Sequence, residues 1–79
     1  MILEYIKSAM KNARYEILED HTFYGEIRDF QGVYANEPTL EGCREELEST
    51  LEDWLLFSLV KNLPIPEVDG KKLQVKRSA

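Results

Sequence analysis

Residues 39–62, TLEGCREELESTLEDWLLFSLVKN, form the long helical pattern of this 79-residue chain and decide its fold. Side chains three and four positions apart share one side of a helix, because each residue turns by about 100°. Thr39 should cap the first turn through its hydroxyl, and Asn62 followed by Pro64 and Pro66 should end the helix. The side expected to face the rest of the chain carries small and apolar residues: Leu40, Cys43, Leu47, Thr50, Leu51, Trp54 and Ser58.

The second half of this helix differs from the first. Up to Asp53 the pattern is amphipathic, but beyond it apolar residues point in nearly every direction. A helix that is apolar all round is usually buried all round, and so short a chain has little other material to surround it. We therefore expect a homodimer or larger homo-oligomer; the alternative is that the sheet and N-terminal helix suffice as cover. The expected interface residues are Trp54, Leu56, Phe57, Leu59 and Val60.

The composition bounds the class of protein. With 43% apolar and 32% charged residues in 79, the chain should form a single globular domain. It has no run of about 18 apolar residues and no signal-peptide core, so neither a membrane span nor secretion is expected. The lone Cys43 agrees with this, because a secreted domain this small usually needs several paired cysteines. We expect a cytoplasmic protein.

Charge is distributed unevenly. Residues 1–70 carry six basic and fifteen acidic side chains, a formal charge of −9, whereas residues 71–79 carry four basic side chains and no acidic one. Such an acidic body repels phosphate, so direct nucleic-acid binding is not expected and a basic protein is the better partner. A stripe on the long helix is either a solvated face or a surface that steers such a partner. It comprises Glu41, Glu45, Glu48 and Glu52.

The remaining elements are shorter. Residues 1–13 have the spacing of an amphipathic helix whose apolar side carries Ile2, Ile6, Met10 and Ala13. Residues 14–36 contain three short strands expected to pair as an antiparallel meander, and residues 71–77 alternate as a strand would. In the first strand, Tyr15 and Ile17 should lie on the covered face. The predicted fold is α+β, one domain over residues 1–79 in the order α-β-β-β-α-β.

Two glycines of the meander have predicted structural roles. Gly25, within the second strand, marks either a bulge or the close approach of a neighbour. The turn at residues 29–32 ends in Gly32, which can take a positive φ.

Catalytic and metal-binding patterns are hard to find. A serine or cysteine nucleophile needs a base, and the single histidine, His21, falls in a predicted turn far from Cys43, which should be buried. One cysteine and one histidine are too few for zinc, and the four glycines are too scattered for a phosphate loop. Glu16, Glu26 and Asp29 could serve a metal-dependent nuclease, but they alternate with basic or exposed positions. The sequence therefore predicts no enzyme, no metal site and no cofactor.

An ordered set of short motifs gives a more specific indication. YGEI at residues 24–27 is followed by the turn DFQGV at 29–33, the helix start TLE at 39–41 and LPIP at 63–66. This order over residues 14 to about 67 resembles the HicB-like antitoxin family. Gln31 replaces the family's usual proline, Gly42-Cys43 replaces a common Glu-Ala, and the N-terminal helix is additional.

The resemblance implies a β-β-β-α-β domain, a partial ribonuclease H-like fold without its catalytic acids, that oligomerises. It also implies the function of an antitoxin, which neutralises HicA, a small basic mRNA-cleaving toxin, by masking the RNA-binding surface of that toxin. Many members append a DNA-binding module, which is not expected within these 79 residues. The alternatives are a solitary oligomeric module with another partner and, in a different class, the nuclease.

Overall fold

Two helices and three strands make up the computed structural model, which describes residues 2–70. The elements are α1 (Ile2–Lys11), β1 (Ala13–Ile17), β2 (Phe23–Ile27), β3 (Tyr34–Glu37) and α2 (Leu40–Lys61). This confirms the predicted α+β class and the predicted order from the first helix to the long helix, with bounds that shift by one or two residues. The predicted strand at residues 71–77 lies outside the described residues.

Both ends of α2 are fixed as the sequence predicts. Thr39 has extended backbone angles, and its hydroxyl oxygen accepts a hydrogen bond from the Gly42 N–H at 2.9 Å. At the other end Asn62 takes the left-handed conformation, with φ 55° and ψ 37°. The Leu63 N–H then donates to the Ser58 carbonyl at 2.9 Å, which satisfies a carbonyl of the last turn.

The sheet is an antiparallel meander with β2 in the centre. Tyr15, Gly25 and Ala35 lie opposite one another across the three strands. A Cβ at Gly25 would lie 2.8 Å from the Tyr15 ring and 3.1 Å from the Cys43 Sγ. Gly25 therefore marks a close approach, here of the Tyr15 ring on β1 and of Cys43 on α2, and this row of paired residues faces α2.

The core lies between this face of the sheet, α1 and α2. From α2 come Cys43, Leu47, Leu51, Leu55 and Ser58; from the strands and the turn after β2 come Ile27, Phe30, Val33 and Ala35; from α1 come Tyr5, Ile6 and Ala9. Most of the predicted inner side of α2 is confirmed. Leu40 is an exception, since it is exposed in the first turn of the helix.

β1 is less covered than its pattern suggests. Tyr15 and Ile17 lie on the face of the sheet that packs against α2, but Tyr15 is 37% exposed and Ile17 is 66% exposed, so the expectation that these two side chains are covered is wrong. The reason is the position of β1 at the edge of the sheet, whereas α2 packs mainly against β3 and β2. Period-two alternation identifies a strand but does not say whether a helix reaches it.

A chain of aromatic contacts connects α1 to the second half of α2. The Tyr5 ring packs edge-on against Phe30 with centroids 6.4 Å apart, and Phe30 packs edge-on against Trp54 at 5.0 Å. The Tyr5 hydroxyl donates a hydrogen bond to the Pro66 carbonyl. With Val68 buried in the same core, these contacts hold the extended segment that follows α2.

A pair of leucine substitutions should separate the inner face of α2 from the outer one. Leu51→Ala removes a fully buried side chain and should lower the free energy of unfolding by about 2–5 kcal/mol. Leu56→Ala, at an exposed position of the same helix, should change it by less than about 0.5 kcal/mol in the monomer. Urea unfolding at low protein concentration measures both, and equal losses would contradict the placement of α2.

Tyr5 should make alkaline stability pH-dependent. Burial, with a contribution from the Asp29 carboxylate, raises the pKa of Tyr5 to about 12. An unfolded tyrosine ionises near pH ~10, so the contribution of Tyr5 is complete below that pH and is lost as the pH rises towards 12. Tyr5→Phe should cost about 1 kcal/mol at pH 8 through the lost hydrogen bond, and the difference from wild type should narrow at pH 11. A difference that stays constant between these two pH values would refute this assignment.

Candidate interaction surface

The first half of α2 presents its acidic stripe to solvent. Glu41, Glu45, Glu48 and Glu52 are all exposed and lie along one flank of the helix, as their spacing predicts. Glu46 and Asp53 are also exposed but lie on the opposite flank. The stripe is therefore a distinct surface on a helix that is acidic on more than one side.

The second half of α2 presents an apolar surface. Leu56, Phe57 and Val60 are 63%, 56% and 67% exposed, respectively. Trp54 and Leu59, predicted for the same interface, are half-buried, and Trp54 packs within the chain's own core. Two further apolar side chains are exposed near this surface: Leu63, which follows α2 in the chain, and Leu3 of α1, which lies beside α2. Large apolar side chains clustered in this way on a small domain are typical of a protein contact.

The two surfaces meet along the boundary with α1, which runs beside α2 in the opposite direction. The start of α1 and the end of α2 form an apolar groove of about 280 Å³. It is lined by Leu3, Ile6, Glu52, Leu55, Leu56 and Leu59. Glu52, the last residue of the acidic stripe, thus belongs to the lining of the apolar groove.

A wider cleft, of about 590 Å³, lies at the other end of this boundary, between α1, β1 and the first half of α2. Its apolar lining includes Met10, Ala13, Tyr15 and Leu40, and its charged lining comprises Lys7, Lys11, Arg44, Glu41 and Glu48. Burial raises the pKa of the Tyr15 hydroxyl here, an effect that Arg44 opposes. Half of the six basic residues of the acidic body therefore line this one cleft, together with two of the stripe glutamates.

The face of the sheet opposite α2 carries the acids proposed for a nuclease. Glu16 lies opposite Tyr24, and Glu26 lies opposite Arg14 and Tyr34, so the two glutamates are diagonal neighbours. Tyr24 stacks on Tyr34 with centroids 6.2 Å apart, and Asp29 lies in the turn after β2. Within residues 2–70 no group of three or more histidine, cysteine, aspartate or glutamate side chains is placed to hold a metal ion.

The two residues considered for nucleophilic chemistry lie in different environments. Cys43 is a buried free thiol whose Sγ lies 3.6 Å from the Ala35 carbonyl, and burial raises the pKa of this thiol. His21 is exposed in a tight turn, at a φ of 65°, beside the hydrogen bonds between Asp20 and Thr22. The predictions that Cys43 is buried and that His21 lies on the surface are confirmed.

No helix in the described part of the chain has the length and apolar character needed to cross a bilayer.

Fold and surface together define a class: a small α+β domain whose long helix covers a three-stranded antiparallel sheet and presents uncovered acidic and apolar surfaces. The chain belongs to the UPF0150-like family, whose family model matches residues 4–66. A solved structure similar to it is the crystal structure of TTHA0281 from Thermus thermophilus. The two chains share 36% identity, and the alignment covers 96% of this chain and 95% of the other with a TM-score of 0.89. Comparison with curated proteins gives no match.

Sequence reasoning missed the contribution of α1 to this surface. The predicted apolar side of the first helix included Ile6 and Met10, but Tyr5 and Ala9 are the fully buried residues and Leu3 faces the groove. Tyr5, Ala9 and the adjacent Ile6 have helical spacing, so the signal was present in the sequence. It was hidden because tyrosine and alanine are common on both exposed and buried faces.

Proposed function

We propose that this protein is a non-catalytic, cytoplasmic HicB-like antitoxin that works as a homo-oligomer and neutralises a small basic RNA-cleaving protein of the HicA type. The observation that carries the proposal is the division of the outer face of α2 into an acidic half and an apolar half. Neither half is covered by another described residue to the extent that the inner face is. Each half suits a different kind of contact.

The apolar half is suited to self-association. Phe57 and Val60, which lie outside the groove, would each gain from losing contact with water, at about 25 cal/mol per Å² of apolar surface buried. If two copies pair through these residues with their helices antiparallel, their acidic halves point away from each other. A longer overlap would place glutamates of one copy against the apolar half of the other, so the charge pattern limits the contact to the helix ends.

The acidic half is suited to a basic partner. An RNA-cleaving protein needs a positive surface to hold phosphates, and a row of carboxylates can occupy the same surface. The formal charge of −9 on residues 1–70 would speed association and exclude RNA from the complex. Masking of this kind requires no chemistry from the antitoxin.

The antitoxin proposal is tested by capture followed by a functional assay. Tagged protein purified from its native cells should bring down a small basic protein in stoichiometric amount, identified by mass spectrometry. That partner alone should cleave RNA, and addition of this protein should stop the cleavage. A well-folded oligomer that captures no partner, or a partner whose cleavage continues in the complex, would overturn the proposal.

Charge reversal should locate the partner surface on the stripe. Glu45→Lys/Glu52→Lys should weaken binding to the captured partner by at least about tenfold, since two attractive contacts become repulsive. Glu46→Lys/Asp53→Lys makes the same change in net charge on the opposite flank of α2 and should weaken binding far less. Calorimetric titration at two salt concentrations measures both, and equal weakening by the two variants would show that only net charge matters.

A substitution at Phe57 should break the oligomer without unfolding the chain. Phe57→Asp places a charge on the exposed apolar surface and should reduce the mass in solution to that of one chain, as measured by light scattering. Ile17→Asp, at a similarly exposed apolar position on β1, is the control and should keep the wild-type mass. Trp54→Asp should instead unfold the protein, because Trp54 packs on Phe30. A Phe57→Asp variant with wild-type mass would refute this interface.

A further inference from the structure

The groove between α1 and α2 is one end of a longer surface whose character changes from apolar to acidic. At about 100° per residue, Leu56 and Leu59 continue the flank occupied by Glu45 and Glu52. Leu3 of α1 closes the groove from the other side. Phe57 lies about 100° around the helix from Leu56, so it faces away from α1. The groove and the Phe57 side of α2 are therefore different surfaces.

We propose that this groove is the docking site for an amphipathic helix of the basic partner, with its apolar residues between Leu3 and Leu56 and its basic residues beside Glu52 and Glu45. The inference rests on the proposed function for the identity of the partner. It adds the form of the segment that is recognised and assigns Leu3 and Leu56 to partner binding. The Phe57 side is left for self-association.

Charge complementarity favours a basic occupant. Glu52 lines the groove itself, and Glu45 lies two turns earlier on the same flank. Lys7 and Lys11 line the wider cleft, whereas Arg44 lies both in that cleft and beside Glu41, Glu45 and Glu48. The four carboxylates of the stripe therefore outnumber the one cation among them. A basic segment that follows the outer flank of α2 therefore meets carboxylates beyond the apolar groove, whereas an acidic segment would meet like charges.

The dimensions favour a helix of moderate length. Glu45 and Leu59 are 14 positions apart on α2, or about 21 Å at ~1.5 Å per residue. The two antiparallel helices form a trough into which a third helix can pack by the usual meshing of side-chain ridges and grooves. The expected ligand is a helix of about 14 residues with apolar side chains near one end and lysine or arginine one to three turns away.

The test uses full-length protein and three synthetic 14-residue helical peptides. The first has leucines in one terminal turn and lysines on the same face further along; the second replaces the lysines by glutamates; the third contains the residues of the first in scrambled order. Titration into ¹⁵N-labelled protein, followed by NMR, should show saturable binding of the first peptide. Its shifts should be concentrated at Leu3, Glu52, Leu56 and Leu59. The other two peptides should bind at least about tenfold more weakly.

Two matched variants separate the groove from the self-association surface. Leu56→Lys should weaken binding of the first peptide by at least about tenfold and leave the oligomer intact. Phe57→Lys should dissociate the oligomer but change peptide binding by less than about twofold, because the groove lies within one chain. Both positions are exposed, and circular dichroism verifies that each variant is folded.

The opposite outcomes overturn the inference. A basic helix at this site would be excluded by any of three results. These are undetectable binding of the first peptide, equally tight binding of the glutamate peptide, and undiminished binding of the first peptide to the Leu56→Lys variant. Loss of the oligomer in Leu56→Lys would show that a second copy fills the groove.

The captured partner distinguishes this inference from the proposed function. If the Leu56→Lys variant neutralises the partner as well as wild type does, the antitoxin proposal is supported and the proposal that the groove binds the partner is refuted. If the peptide binds specifically but no toxin is captured, the groove proposal is supported and the antitoxin proposal is refuted.

Discussion

The close packing of α2 on the centre of the sheet is the contact on which the rest of the structure depends. Gly25 has no side chain, so the Cys43 thiol can approach β2 and place Leu47, Leu51 and Leu55 over the sheet and the turn that follows β2. One face of a 22-residue helix is thereby used for the core. The opposite face remains outside, and its two halves provide both surfaces on which the functional proposals rest.

The parts of the fold that depend on local sequence were predictable. Thr39 and Asn62 define the ends of α2 through their own side-chain and backbone preferences, and Gly32 takes the positive φ that its turn requires. The close approach at Gly25 was one of two predicted alternatives, and only the position of Cys43 across the sheet decided between them. Helix caps and turn conformations can be predicted from the sequence because they depend on neighbouring residues and not on distant ones.

The parts that depend on relative placement were not predictable. Tyr15 and Ile17 alternate like residues of a covered strand, but β1 is an edge strand beyond the main contacts of α2. The predicted apolar interface likewise treated Trp54 and Phe57 alike, although Phe30 packs against the first and leaves the second exposed. The groove required knowing that α1 lies antiparallel beside α2, which no spacing within either helix reveals.

The contact between Gly25 and Cys43 also has a meaning for how this family can vary. The two residues share one small volume with the Tyr15 ring, since a methyl group at position 25 would lie 2.8 Å from that ring and 3.1 Å from the sulfur. A larger residue on the strand therefore needs a shift of the Tyr15 ring and more room on the helix side, which a smaller residue at position 43 provides. Among related chains, the sizes at these two positions should vary inversely, so the distance between helix and sheet is inherited as a property of the pair.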